Sequence, residues 1–122
     1  MARILLVDDD PGLVFIVSKI LEKEGYTVIW AESGEKCLEE LEKSKPDLIL
    51  MDIMMPGLDG WETTQKIKSD SKIKDIPVVM LTVKGDREDK LKSFHQSKCD
   101  GYMVKPVNRR ELVKVVRWIL EE

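Results

Sequence analysis

The stretch LILMDIMMPGLDG, residues 48–60, joins four apolar residues to a carboxylate and then to a tight turn. A short run of Leu, Ile and Met is typical of a strand that is buried on both faces of a parallel sheet. Asp52 therefore ends a buried strand, and Pro56-Gly57 turns the chain soon afterwards. A charge at this position needs a partner, because an unpaired buried carboxylate is costly.

Four further apolar runs share this pattern, and amphipathic segments separate all five. Alternating strands and helices predict a parallel sheet with helices on both faces, joined by right-handed crossovers. Five strands in 122 residues favour the flavodoxin-like strand order 2-1-3-4-5. We therefore predict an α/β fold in a single domain, residues 1–122. The predicted strands are ILLV (4–7), TVIW (27–30), LILM (48–51), IPVVML (76–81) and YMV (102–104).

Each amphipathic segment begins at a residue that favours a helix N-terminus. Gly25 lies where a left-handed cap would end the first helix, and the second ends before Pro46. The fourth carries Leu91 and Phe94. The five helices are predicted to start at Asp10-Pro11, Ser33-Gly34, Asp59, Gly85-Asp86 and Asn108.

The composition limits the possible functions. The net charge of −3 gives no electrostatic case for nucleic acid binding. No apolar stretch approaches the roughly 20 residues of a membrane span, and the apolar run near the N-terminus is too short for a signal peptide. Cys37 and Cys99 lack the spacing of a metal site. We therefore expect a cytoplasmic protein with reduced thiols and no membrane contact.

Polar residues follow four of the predicted strands. The first strand ends in Asp8-Asp9-Asp10, the third in Asp52, the fourth in Thr82 and the fifth in Lys105. Carboxyl ends of parallel strands meet at one edge, and ligands bind where the strand order reverses, here between strands 1 and 3. These side chains should therefore converge in one cleft.

Several carboxylates in one cleft repel each other unless a proton or a cation lies between them. A hard divalent cation with oxygen ligands suits this set, and Mg²⁺ prefers a few carboxylates together with phosphate oxygens. No His or Cys lies at a strand end, which argues against zinc. Mg²⁺ beside an Asp nucleophile, a Lys and a hydroxyl suits phosphoryl transfer.

The motifs around these residues resemble the receiver domain of two-component response regulators. The resemblance covers the whole chain and rests on LLVDDD (5–10), LILMDIMMPGLDG (48–60), VVMLT (78–82) and YMVKP (102–106), in that order and at suitable spacing. It implies a phosphorylation-activated switch and not a metabolic enzyme. Asp52 would be the phosphoacceptor and would take its phosphoryl group from a histidine of a sensor kinase or phosphotransfer protein.

The same resemblance implies roles for neighbouring residues. Asp9 would bind Mg²⁺ directly, Asp8 directly or through water, and the backbone carbonyl of Met54 would be a further ligand. Lys105 would pair with the phosphoryl group, and the Lys105–Pro106 bond resembles one that is cis in this family.

An output also follows from the resemblance. Thr82 would hydrogen-bond the phosphoryl group and move toward it, and Tyr102 would then turn inward. The fourth helix, fifth strand and fifth helix would change arrangement and be read by a downstream protein or a second receiver. We expect no direct nucleic acid binding and no output domain in this chain. The sequence leaves open whether the receiver stands alone or is excised from a larger regulator.

Some residues have simpler or additional interpretations. Asp10 fits a helix cap better than a metal ligand, and Asp59 fits a cap or turn residue. Trp118 is either an edge packing residue or an anchor for a partner, and the sequence favours neither. Val83 stands where a small residue is usual in the family, and its bulk leads us to expect slow self-dephosphorylation.

Two rival functions share the same chemistry or fold. A Mg²⁺-dependent phosphatase of the haloacid dehalogenase type would also use an Asp nucleophile and a Lys, but it would normally want an acid where Met54 stands, and a cap domain. A nucleotide or flavin binder would want a Gly- or Ser/Thr-rich loop after the first strand. Instead, VDDDPG (7–12) offers acids, which repel phosphates without a metal.

Overall fold

The computed structural model describes residues 2–83 and 98–121. Its strands are β1 (Arg3–Val7), β2 (Thr27–Ala31), β3 (Leu48–Asp52), β4 (Val78–Val83) and β5 (Gly101–Lys105). Its helices are α1 (Pro11–Lys23), α2 (Gly34–Lys43), α3 (Gly60–Lys68) and a C-terminal helix (Arg109–Leu120). The helix that the sequence predicts from Gly85-Asp86, with Leu91 and Phe94, lies outside the described residues.

The strands form one parallel sheet in the order β2-β1-β3-β4-β5, which confirms the predicted topology. The register aligns the carboxyl ends of the three central strands. Val7 pairs with Met51, so that Asp8 follows β1 at the level of Asp52. Asp52 pairs in turn with Leu81 on β4. The polar residues at the strand ends are thereby brought to one edge.

Two apolar layers cover the sheet, because alternate residues of each buried strand point to opposite faces. Leu5, Ile49 and Met80 belong to the layer that includes residues of α2 and α3. Leu6 and Leu50 belong to the layer that includes residues of α1 and the C-terminal helix. Burying each of these large side chains contributes roughly 1.5–3 kcal/mol, so the two layers hold the strand ends firmly in place.

Side-chain caps fix the starts of the described helices, as the sequence predicts. Asp10 accepts a hydrogen bond from the backbone N–H of Gly12 (2.9 Å), and Ser33 and Asn108 cap the second and the C-terminal helix in the same way. Asp59 forms a reciprocal capping box with Glu62 at the start of α3. No described helix is long and apolar enough to cross a membrane.

Candidate functional site

Three carboxylates meet at the carboxyl edge of the sheet, as the sequence predicts. One oxygen each of Asp8, Asp9 and Asp52 lies within 4.8 Å of the others. Asp8 is fully buried and Asp52 is 4% exposed, whereas Asp9 faces solvent. We call these three residues, together with Lys105, the acidic pocket.

Lys105 closes the acidic pocket from the far side of β4. Its Nζ donates to Asp8 Oδ2 and to Asp52 Oδ1, each at 3.0 Å. The register of β3, β4 and β5 explains why the Lys105 side chain can extend as far as Asp52. Asp52 is aligned through Leu81 with Met103, and Lys105 lies two residues further along β5, on the same face. The Lys105–Pro106 bond is cis, in agreement with the family resemblance.

The pKa of Asp52 reflects its burial first and its charged neighbours second. Burial is the main cause that raises the pKa of Asp52 from 3.8 to about 6, and the neighbouring Asp8 charge adds to it. Hydrogen bonds from Lys105 and from the backbone of Met54 act in the opposite direction. For Lys105, burial lowers the pKa, but its contacts with Asp52 and Asp8 outweigh that effect and the pKa is raised.

The charges and donor atoms of the acidic pocket show whether it suits a divalent cation. One ammonium group faces three carboxylates, and two of the three are removed from water. The donors are all oxygens and lie close enough together to share one ion. Hard oxygen donors with excess negative charge fit Mg²⁺. The residues present therefore suit the metal that the chemistry requires.

The backbone after β3 is held tightly against α3. The N–H of Gly60 donates to the carbonyl of Ile53 (2.9 Å). A Cβ atom at Gly60 would collide with the backbone carbonyl of Asp52, so a side chain cannot be accommodated there without a shift. The glycine in the GLDG sequence thus allows α3 to start directly beside the carboxylate.

Trp30 is a contributor to the pocket that the sequence reasoning missed. Its Nε1 donates to the backbone carbonyl of Asp8 at 2.7 Å, and the side chain of Asp8 accepts from the N–H of Asp10 at 2.9 Å. The neighbouring strand also holds this segment, because the N–H of Asp8 donates to the carbonyl of Ala31. The sequence carries no signal for this bond, because the indole of a half-exposed tryptophan can also donate to water.

Thr82 and Tyr102 lie at the same edge but on the other face of the sheet from Lys105. Thr82 pairs with Val104, and Tyr102 lies two residues before Val104 on the same face. Thr82 is buried and Tyr102 is 39% exposed. No hydrogen bond joins Thr82 to Asp8, Asp52 or Lys105, which are all described residues. Thr82 is therefore near the pocket without being part of its hydrogen-bond network.

Two exposed apolar side chains lie at the ends of the strands that form the pocket. Val83 is 54% exposed and pairs with Lys105, while Met54 follows Asp52 by two residues and is also exposed. Both could limit access to a group attached to Asp52.

With this geometry established, similarity to known proteins identifies the class of the chain. It belongs to the response regulator receiver domain family, whose model matches residues 4–117. Receiver domains are phosphorylation-activated switches of two-component systems, and they bind Mg²⁺ at a cluster of aspartates such as the one formed here. This assignment favours the switch over the phosphatase and the flavin binder.

Individual relatives agree with the family. Protein PilH of Pseudomonas aeruginosa is 39% identical over 120 residues, and the match covers 98% of each chain. The DNA-binding dual master transcriptional regulator RpaA of Synechocystis is 41% identical, with 98% of this chain and 49% of the regulator covered. The crystal structure of chemotaxis protein CheY4 of Vibrio cholerae has a TM-score of 0.91 at 32% identity, covering 98% of this chain and 99% of that chain. The chain thus spans nearly all of PilH and about half of RpaA and similar transcriptional regulators.

Proposed function

We propose that Asp52 is the phosphoacceptor of this receiver domain and that Lys105 is its charge partner. The observation that carries the proposal is the position of the Lys105 ammonium, 3.0 Å from both Asp8 and Asp52 in one largely buried pocket. With a pKa of about 6, Asp52 is mostly ionised near pH 7 and has a lone pair available for attack.

In the proposed reaction, an oxygen of Asp52 forms a bond to the phosphorus of a phosphohistidine. The phosphorus–nitrogen bond breaks, and its electron pair returns to the imidazole of the donor. The donor would be a sensor histidine kinase or a phosphotransfer protein. Lys105 would then leave Asp8 and Asp52 to contact the new phosphoryl oxygens, because their negative charge exceeds that of a carboxylate.

Asp8, Asp9 and Asp52, with the backbone carbonyl of Met54, would hold Mg²⁺. When bound, the ion supplies positive charge that offsets the carboxylates and the phosphoryl oxygens. The hydrogen bond from the Trp30 indole to the main-chain carbonyl of Asp8 and the capping role of Asp10 support the segment that carries Asp8 and Asp9. The chain would catalyse the gain and loss of its own phosphoryl group and remain a switch.

The same proposal includes the switch itself. Thr82 would move toward the phosphoryl group from its present place outside the pocket network, and Tyr102 would turn inward from its partly exposed position on the same sheet face. The face made by the predicted fourth helix, β5 and the C-terminal helix would be read by a downstream protein or a second receiver. The fourth helix of that face lies in residues that the structure does not describe.

We also propose that the chain works in the cytoplasm and that its thiols play no part in the reaction. Cys37 and Cys99 are buried free cysteines. Burial raises the pKa of Cys37 to about 12, so this thiol stays protonated and inert.

Incubation with acetyl phosphate and Mg²⁺, followed by intact mass measurement, tests the acceptor. We expect one phosphoryl group on the unaltered chain, none on Asp52→Asn, and none when the metal is chelated. Asp59→Asn is the matched control, because this acid lies at the far end of the loop that follows Asp52 and asparagine caps a helix as well as aspartate does. Phosphorylation of Asp52→Asn at the normal rate would refute the assignment. Multiple turnover of phosphate esters would favour the phosphatase, and tight flavin binding without metal would favour the flavin binder.

A further inference from the structure

A second charged region lies away from the acidic pocket, on the C-terminal helix. A groove of about 710 Å³ separates this helix from the end of α1, and we call it the basic groove. Its charged lining consists of Arg109, Arg110, Lys114 and Arg117 on the helix and Glu24 after α1. Four cationic side chains therefore face one carboxylate, on a chain whose net charge is −3.

Only part of this positive charge is compensated. Glu24 accepts from Arg117 at 2.7 Å and lies 3.8 Å from Arg109. Within residues 2–83 and 98–121, no ion-pair partner is found for Arg110 or Lys114. A local excess of positive charge on an otherwise acidic chain attracts acidic partners and guides their approach.

Trp118 adds an apolar surface to the same groove. It is 75% exposed, although the helix buries Leu112 and Val116 in the core. Most of the indole therefore lies outside the core, where it gains little free energy from burial. Exposed tryptophan beside arginine is typical of the centre of a binding surface.

The positive charge of the basic groove and the exposed indole of Trp118 together restrict the class of ligand that the groove can bind. Nucleic acid is disfavoured because the chain as a whole is acidic. A small anion would leave Trp118 without a contact. A second copy in a two-fold contact would bring the same cations against each other. We propose that the basic groove binds an acidic segment of another protein, with one large apolar side chain of that segment packed on Trp118.

Selection from a displayed library of short random peptides on the full chain tests this proposal. We expect the recovered peptides to be net acidic and to contain a large apolar residue. Their affinity, measured by fluorescence anisotropy, should fall about tenfold in Trp118→Ala, as is usual for the central residue of an interface. It should fall by a similar factor in Arg110→Glu and weaken with added salt.

Matched controls come from the same chain. Phe15→Ala removes an exposed aromatic of α1 outside the groove, and Lys72→Glu reverses an exposed cation elsewhere. Neither should change peptide affinity, and phosphorylation from acetyl phosphate should be normal in every variant. The proposal is overturned if no recovered peptide depends on Trp118 and Arg110, or if the peptides are not acidic. It is also overturned if sedimentation shows that the chain self-associates and that Arg110→Glu abolishes this, because the occupant is then a second copy.

Discussion

The acidic pocket and the basic groove are both charged, but they hold their charges differently. In the pocket, Asp8 and Asp52 are buried at the ends of strands and share one lysine. In the groove, the side chains of Arg109 and Arg117 are more than half exposed. Exposed ion pairs contribute little to stability, whereas a buried charge depends strongly on its partner.

Because of this difference, the acidic pocket suits a chemical reaction, whereas the basic groove suits the binding of a partner. The pocket holds three carboxylates and one ammonium group, so one added charge, from a metal or a phosphoryl group, changes the interactions among all of them. The cations of the basic groove can lose or gain an ion-pair partner with little effect on the stability of the fold, because water already solvates them. Substitutions in the two regions should therefore have unequal effects on stability.

The largest difference is expected when one lysine is removed from each region. Lys105→Met leaves Asp8 and Asp52 buried without a cation, and we expect the free energy of unfolding near pH 7 in chelator to fall by about 3 kcal/mol. Lys114→Met in the groove should change it by less than about 0.5 kcal/mol. Urea denaturation measures both, and added Mg²⁺ should restore part of the loss in Lys105→Met. Equal losses in the two variants would contradict the comparison.

The pH dependence of stability sharpens the same contrast. The folded-state pKa of Asp52, about 6, lies above its ordinary value of 3.8, so the folded chain binds this proton more tightly than the unfolded chain. The contribution of Asp52 to the free energy of unfolding should therefore fall as pH rises from about 4 to about 6. Asp52→Asn should be more stable than the unaltered chain above pH 6, by about 2–3 kcal/mol without metal.

That gain should disappear below about pH 4, where Asp52 is protonated in both states. Asp59→Asn, which changes an acid outside the pocket, should show no such pH-dependent gain. Denaturation curves across this range, recorded in chelator, test both statements. A constant difference between Asp52→Asn and the unaltered chain at all pH values would show that ionisation of Asp52 is not the cause.

Local sequence signals account for most of what could be predicted. Uninterrupted apolar runs and capping residues such as Asp10 and Asn108 act over a few positions, so the existence and order of the strands and described helices follow from them. The bounds of β4 were wrong, because the strand is Val78–Val83 and not 76–81, and Thr82 lies within it. The convergence of Asp8, Asp9 and Asp52 followed from parallel topology, which fixes where strands end. The bond from Trp30 to a main-chain carbonyl could not be predicted in the same way, because it depends on the packing of one side chain across two strands.

The basic groove escaped prediction for a related reason. Arg109, Arg110, Lys114 and Arg117 look like an ordinary solvated helix face in the sequence. Only the placement of Glu24 beside Arg117 shows that two helices enclose a concave surface. Charge patterns on one helix are local, whereas grooves are made by the relative placement of two elements.

A smaller effect, on Mg²⁺ affinity, is expected when the tryptophan of the acidic pocket is replaced, and none when that of the basic groove is replaced. Trp30→Phe keeps the ring but removes the donor to the carbonyl of Asp8. We expect Mg²⁺ affinity to fall about fivefold, as is typical for the loss of one neutral hydrogen bond of about 1 kcal/mol. Trp118→Phe, in the groove, should leave Mg²⁺ affinity unchanged. Calorimetric titration measures both, and equal affinities in all three chains would show that Trp30 does not position the metal-binding segment.

The smallest effect concerns the lifetime of the phosphorylated state. Val83 is exposed and pairs with Lys105 at the rim of the pocket, where its two methyl groups can keep water from the acyl phosphate. Val83→Ala should lose its phosphoryl group about fivefold faster, which corresponds to about 1 kcal/mol in the barrier. Val113→Ala makes the same change in the groove and should decay at the normal rate. If Val83→Ala also decays at the normal rate, Val83 does not shield the site, and the exposed Met54, two residues after Asp52, becomes the residue to truncate next.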